Sequence, residues 1–358
     1  VKILITGGGT GGHLMPALNL ARAATDAGHD VVLAGATRGI EARLLPNYPF
    51  RFHLLPFEPI YRRQWWRNLW WPVIAVRVNL AVNKLLATER PAIVIGTGGY
   101  AAGPIVWRAQ QMGIPTALQE QNAFPGLTTR LLARRARQVH LGFPEGRSRI
   151  TPGPHTEVFD LGNPIALPSD ADPSTARAEF GFLVERPTVL VVGGSQGARA
   201  LNEILAAALE RGWFDDVNVL WGTGAAHAER YAPLAVPNRV AVRGFFDPIA
   251  PAYAAADLVV ARAGAMTVAE LCAWGKPSVL VPLPSAAADH QTFNARALAD
   301  AGAAVLLVER DLTPDVLGQT VTSLARDPAR LDALGVAARR RGHPDAARAI
   351  MSKVLTLV

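Results

Sequence analysis

Apolar residues in this chain fall into short continuous runs and into stretches at helical spacing, and the two alternate from end to end. The run from Lys2 to Thr6 predicts a buried strand. Apolar spacing over 17–27 predicts a helix starting near Met15 or Pro16. Runs at 30–35, 50–56, 92–95, 114–118 and 139–143 predict further strands, with helices over 40–45, 73–88, 105–112 and 127–134. After a stretch rich in proline and aspartate the alternation resumes. Strands are expected at 188–192, 217–221, 240–243, 258–261, 278–281 and 304–308, helices at 174–180 and 200–210, and a short last helix over 345–355. Such alternation predicts α/β architecture, parallel sheets covered by helices. The proline-rich break predicts two domains, residues 1–164 joined by the C-terminal helix of 340–358, and residues 165–339. Because the second half repeats the construction of the first, two Rossmann-like domains facing across a cleft are expected.

Glycine clusters mark where strands end. Gly7, Gly8, Gly9, Gly11 and Gly12 follow the first strand and lead into a helix, with His13 at its mouth. Strand, glycine turn and helix together make an anion site, since glycine lets the backbone approach closely and a helix N-terminus offers unpaired N–H groups and positive potential. No Lys-Ser or Lys-Thr follows, which excludes a P-loop. Gly7-x-Gly9-x-x-Gly12 matches a dinucleotide fingerprint by letter, but the next strand ends in Gly35-Ala-Thr-Arg38 without the acid such a site needs. Similar turns follow at 96–104 and 193–199, and polar groups cluster after strands at Gln119–Asn122, Arg262–Glu270 and Pro282–Asn294. Open α/β sheets bind ligands at such strand ends. Glu270 stands about a turn and a half into its helix, where a carboxylate can accept both hydroxyls of a ribose; a lone exposed helix carboxylate is the plain alternative.

The formal net charge of +7 favours an anionic partner: phosphorylated substrate, acidic lipid or nucleic acid. Among 358 residues no run reaches the ~18 apolar residues of a membrane span, and a chain that opens on a strand gives no sign of a signal peptide. The single cysteine, Cys272, excludes an internal disulfide and is expected to be a buried structural thiol. Four of the eight tryptophans (Trp65, Trp66, Trp70, Trp71) and three arginines fall between Tyr61 and Pro72. That pairing suits a membrane–water interface, with an aromatic core cluster or stacking on single-stranded nucleic acid as alternatives.

Taken in order, GGGTGGHLMPAL, GTGGYAAGP, EQNAFPG, GNP, GGSQGA, RAGAMTVAEL and PLPSAAADHQTFNA closely resemble the motifs of the MurG family of bacterial cell-wall glycosyltransferases. The resemblance implies the GT-B fold and transfer of N-acetylglucosamine from UDP-N-acetylglucosamine to the C4 hydroxyl of the muramyl sugar of lipid I. The product would be lipid II for peptidoglycan synthesis, cell shape and cell division, made with inversion and with no metal or cofactor. It implies a peripheral protein at the cytoplasmic face of the cell membrane, with the anionic inner leaflet as partner and no nucleic acid. By the same resemblance the donor contacts are Thr10, Gly11, Gly12, Asn122, Ser195, Phe246, Ala265, Met266, Thr267, Val268, Ala269, Glu270 and Gln291. Glu270 would hold the ribose, Ser195 and the amides after Ala265 the diphosphate, the Phe246 backbone the uracil, and Gln291 the sugar hydroxyls. The first glycine turn would meet the lipid pyrophosphate and the transferring sugar. His13 is the expected general base, with Glu120 its rival. Three positions depart from the family pattern: Gln119 stands where histidine is common, Ala166 where arginine is, and, as a mild change, Ala261 where serine is usual before Arg262. Another GT-B glycosyltransferase or a nucleotide-sugar epimerase is the alternative.

Overall fold

The computed structural model describes residues 1–58, 70–168, 171–194 and 197–358. The chain divides into two compact units, Val1–Ala166 with Asp345–Val358, and Leu167–Pro344.

The first unit is built on seven parallel strands: β1 (Lys2–Thr6), β2 (Asp30–Ala36), β3 (Arg51–Leu55), β4 (Ile93–Gly96), β5 (Thr116–Glu120), β6 (Gln138–Leu141) and β7 (Glu157–Asp160). Their spatial order is β3-β2-β1-β4-β5-β6-β7. Side chains alternate across the sheet, so each face has its own core. Leu4, Val32, Val94, Leu118 and Val139 point to one face, under the helices Trp71–Glu89 and Gly99–Gln111. Ile3, Ile5, Val31, Leu33, Ile93 and Ile95 point to the other, against the helix Gly11–Asp26. The chain's end returns to this second face because Ile350, Met351 and Val354 of the helix Ala346–Val354 bury fully there.

The second unit holds six parallel strands: β8 (Thr188–Val192), β9 (Asn218–Gly222), β10 (Val240–Arg243), β11 (Leu258–Ala261), β12 (Ser278–Leu280) and β13 (Val305–Leu306), in the order β10-β9-β8-β11-β12-β13. In each unit the strand order reverses once, between β1 and β4 and between β8 and β11. Connections leave such a pair toward opposite faces, and a crevice opens at the strand C-termini. The glycine turns end these strands.

Three local features differ from the pattern-based expectation. The first helix begins at Gly11, not near Pro16, so His13 lies in its first turn. Proline favours the start of a helix, but here Pro16 sits inside, at the cost of one backbone bond. The helix after β4 likewise begins early, at Gly99. Strand β7 was not expected at all. It lies at the sheet edge with exposed or half-buried side chains, so it carries no apolar run to betray it.

Candidate active site

In the first unit the turns after β1, β4 and β5 interlock. A Cβ on Gly7 would fall 1.8 Å from Thr97 Oγ1, and one on Gly99 would fall 2.1 Å from the Gly8 carbonyl oxygen. Gly98 and Gly99 also stand at φ +95° and +81°, conformations that strain any L side chain. The Thr97 hydroxyl donates to the His13 carbonyl (2.8 Å), and Gln121 Nε2 donates to the Thr97 carbonyl (2.7 Å). The His13 ring lies over Gly98, where a Cβ would meet its Cδ2 at 2.7 Å, and its Nδ1 is bonded to Thr10 Oγ1 at 2.9 Å. Thr10 and Gly12 are exposed, nothing lies within 4 Å of a Cβ built on Gly11, and the first turn holds no acid. The helix mouth is therefore uncapped by any side chain and of a kind that suits an anion, with an imidazole at its edge.

Glu120 is 4 % exposed and already engaged through both oxygens. Oε1 accepts from the Asn122 amide (3.1 Å) and Asn122 Nδ2 (3.4 Å); Oε2 accepts from the Gly126 amide (3.0 Å) and the Thr129 hydroxyl (2.5 Å). It holds the 120–129 loop in shape and presents Asn122. Gln119 is buried and donates to Asn163 Oδ1 (2.9 Å), while Asn163 Nδ2 donates to the Gln121 carbonyl (2.9 Å). A neutral amide network thus occupies the place of the titratable histidine common in the resembled family. Ala166 is exposed at the end of the first unit.

In the second unit the β8 turn is shaped by Gly194 (φ +82°) and Gly197 (φ +72°), the latter pressed against the Thr223 carbonyl. Ser195 lies outside the described residues. The turn after β11 opens the helix Ala265–Trp274, whose N-terminal residues carry neither a side-chain cap nor an acid, so Ala265, Met266 and Thr267 form a second helix mouth. Val268 is core and its amide donates to the Gly264 carbonyl (2.9 Å), and Ala269 is half-buried. Glu270 is half-buried, not the freely exposed carboxylate of the plain alternative. Its Oε2 accepts from the buried Tyr253 hydroxyl at 3.0 Å. Burial raises the Glu270 pKa and the tyrosine bond draws it partly back; burial, and then the facing carboxylate, push Tyr253 well above its ordinary range. The Phe246 side chain packs edge-on against Phe180, with ring centres 5.9 Å apart. Gln291 Oε1 accepts from the Leu283 amide at 2.9 Å. Cys272 is buried, and its thiol is pushed up to about 12, so it is inert at neutral pH.

Three features of this second site were not read from the sequence. One is the Tyr253 bond to Glu270. Another is Arg262, buried at the end of β11, which donates to the Val281 and Pro282 carbonyls (3.1 and 3.2 Å) and pairs with Glu309. It ties the β12 turn to β11, and an arginine inside a motif of small residues was the available signal. The third is the pair Ala288 and Asp289 at φ +52° and +55°, consecutive left-handed non-glycine residues just before Gln291. Such strain persists only where surrounding structure enforces it, and it clusters at ligand sites.

Among the described residues no group of three or more His, Cys, Asp or Glu side chains converges on a possible metal position, and no helix is long and apolar enough to cross a membrane. Of the Trp/Arg stretch, residues 59–69 and the Trp71 side chain lie outside the described residues; Trp70 is exposed.

Residues 3–141 match the family model of the glycosyltransferase family 28 N-terminal domain, and residues 188–350 that of its C-terminal domain. A Chlorobaculum parvum protein named UDP-N-acetylglucosamine–N-acetylmuramyl-(pentapeptide) pyrophosphoryl-undecaprenol N-acetylglucosamine transferase is 41 % identical over 372 residues, covering 100 % of this chain and 99 % of that protein. A Moorella thermoacetica protein of the same name is 40 % identical over 373 residues, with the same coverage. The crystal structure of Acinetobacter baumannii MurG superposes with a TM-score of 0.81 at 31 % identity, covering 99 % of both chains. A Listeria monocytogenes structure described as a UDP-N-acetylglucosamine 2-epimerase shares the fold at 15 % identity, with a TM-score of 0.69 over 98 % of this chain and 94 % of that one. With both domain models matched and full-length relatives near 40 % identity, the chain belongs to glycosyltransferase family 28, among the MurG-type transferases.

Proposed function

We propose that this protein transfers N-acetylglucosamine from UDP-N-acetylglucosamine to the C4 hydroxyl of the muramyl sugar of lipid I, with inversion, giving lipid II. The observation that supports this reading is that each unit of the chain carries an uncapped helix mouth at its strand ends. One is a helix mouth followed by the half-buried carboxylate Glu270; the other is an open helix mouth edged by His13. The donor belongs to the second unit. Glu270 accepts the ribose hydroxyls, and the Phe246 backbone meets the uracil. Ser195 and the first-turn amides of Ala265, Met266 and Thr267 hold the diphosphate, while Val268 and Ala269, whose amides bond within the helix, continue the turn without donating to it. Because Gln291 Oε1 is taken by Leu283, its Nε2 is the group that donates to the sugar. Thr10, Gly11, Gly12 and Asn122 meet the transferring sugar and the lipid pyrophosphate.

In the reaction the acceptor O4 attacks the anomeric carbon opposite the departing UDP. The carbon–oxygen bond to the β-phosphate breaks, and the new glycosidic bond forms with inverted configuration. Charge growing on the diphosphate is met by preorganised amides and the helix dipole. His13 Nε2 takes the hydroxyl proton in the tautomer that carries its proton on Nδ1, where Thr10 Oγ1 can accept it; the Thr10 contact fixes the ring's orientation. Glu120, with four donors on it, positions Asn122 and takes no proton. The test is a transfer assay with labelled UDP-N-acetylglucosamine and purified lipid I. Labelled lipid II is expected; donor turnover only with another acceptor, or epimerisation of the donor, would overturn the reading.

We further propose that the first unit docks on an anionic membrane surface from the cytoplasmic side. Trp70, Val73, Val76 and Leu80 recur at three- and four-residue spacing and are exposed at 69 %, 53 %, 60 % and 64 %. Trp107, Leu127 and Leu131 extend the apolar surface across two neighbouring helices, with Arg77, Lys84 and Arg130 exposed on these helices and Arg134 just beyond the last. An apolar stripe edged by cations is the signature of interfacial binding. Burying two such side chains in lipid is worth roughly 3–6 kcal/mol. The double variant V76D/L80D is therefore expected to lower affinity for phosphatidylglycerol vesicles by at least about tenfold, in a sedimentation assay, with UDP affinity unchanged. Equal vesicle binding would refute the docking surface.

A further inference from the structure

One buried carboxylate has no part in the proposed chemistry. Glu41 is 0 % exposed and reaches beneath the first glycine turn. The Gly9 amide donates to both its oxygens (3.2 Å to Oε1 and 2.9 Å to Oε2), and the Ala36 amide donates to Oε1 (2.8 Å). Glycines from the first turn and from the stretch leading to Glu41 make the socket: a Cβ would fall 2.1 Å from Oε1 at Gly8, 2.5 Å from Cγ at Gly35 and 2.2 Å from Oε2 at Gly39. A carboxylate taken out of water is costly unless it is well hydrogen-bonded. Here the partner it captures is the peptide of Gly9, at φ +87°, immediately before the residue that caps the catalytic helix.

The consequence runs along the chain. With its N–H turned inward to Glu41, Gly9 is withdrawn from anion recognition, and since the His13 amide returns to the Thr10 carbonyl, the first-turn amides for a phosphate are those of Gly11 and Gly12. The next residue, Thr10, caps that helix, its carbonyl accepting from the His13 and Leu14 amides (3.2 Å each), and its hydroxyl meets His13 Nδ1. We infer that Glu41 is a positioning residue which, through Gly9 and Thr10, orients the His13 imidazole toward the acceptor hydroxyl. This inference rests on the proposed role of His13.

Glu41→Gln keeps the side chain's size but sets an amide NH2 against a peptide N–H. The Ala36 bond can survive on the remaining oxygen, while the second contact to Gly9 is lost. Misplacement of a catalytic group by a fraction of an ångström to 1 Å costs on the order of 10–100-fold in rate. In the lipid I assay E41Q is expected to lower kcat by about 10-fold or more. The UDP dissociation constant, from calorimetry, should stay within about twofold, because the nucleotide contacts lie in the second unit. The decisive measurement is the double variant E41Q/H13A. If Glu41 acts through His13, it turns over no more slowly than H13A alone. A further loss on the H13A background equal to that on wild type means a general structural role and overturns the inference, as does normal kcat in E41Q. Gly8→Ala pushes a methyl onto Oε1 from the opposite wall and is expected to reproduce the kcat loss, so the test does not hang on one variant's folding, which thermal melts report. A wild-type protein that does not transfer to lipid I overturns the functional reading itself, a result distinct from either of these.

Discussion

Replacing His13 by alanine is expected to cut lipid II formation by roughly two to four orders of magnitude, the usual contribution of a positioned general base. The affinity for UDP should change little. The split follows from where the residue sits: His13 lies in the first turn of Gly11–Asp26, in the first unit, while the nucleotide contacts proposed above lie in the second. The ring is over-determined, bonded to Thr10 Oγ1 and seated on Gly98, where even a Cβ would collide with it. Such fixing is what a base needs, since proton transfer demands geometry before it demands a matched pKa. Near-normal turnover in the alanine variant would sink the assignment. Glu120 would then have to be reconsidered, although using it as a base means breaking the bonds from Asn122, Gly126 and Thr129 that shape its loop.

Replacing Glu270 by alanine is expected to weaken UDP-N-acetylglucosamine binding by at least about 100-fold, measured by calorimetry. Two hydrogen bonds to a charged group are worth roughly 1.5–3 kcal/mol each, and each 1.4 kcal/mol is tenfold in affinity. The alanine also strands the buried Tyr253 hydroxyl, adding a stability cost. A pH dependence follows with a definite sign. The ribose hydroxyls donate to the carboxylate, so only ionised Glu270 accepts both. Burial raises its pKa, so donor affinity is full above that raised value and falls as pH drops through it, sooner than for an ordinary carboxylate. Tyr253→Phe removes the bond that draws the pKa down, and the loss of affinity should then begin at a still higher pH. Glu270→Gln should bind weakly at every pH. Donor affinity that stays flat across the acid range in wild type would refute the ribose role.

Much of the proposed donor site of the second unit was legible because its signals are local. Thr188–Val192, Val240–Arg243 and Leu258–Ala261 each stand where their apolar runs place them. A run of small residues followed by a helix marks the Ala265 mouth, and Glu270 lies within the same motif. In the first unit the glycine turns were equally plain, but the helix boundaries were not. Glycine and histidine carry no apolar periodicity, so a helix that begins on Gly11-Gly12-His13 is invisible to pattern reading. Strand β7 was hidden for the complementary reason, since an edge strand with exposed side chains needs no hydrophobic run.

By itself, then, the sequence determined the alternation of strand and helix, the positions of the glycine turns and the family, because all of these rest on residues adjacent in the chain. Only the tertiary structure decided which polar groups are spent and which remain for substrate. Glu120 is consumed by its own loop, while Glu41 is buried under a turn 32 residues away. Glu270 is steadied by a tyrosine 17 residues off, and Arg262 is paired with Glu309 across 47. The physical reason is the parallel sheet. Its neighbouring strands are joined through helices, so strand order brings distant segments side by side at the C-terminal ends, and a buried polar group bonds to whatever that order places beside it.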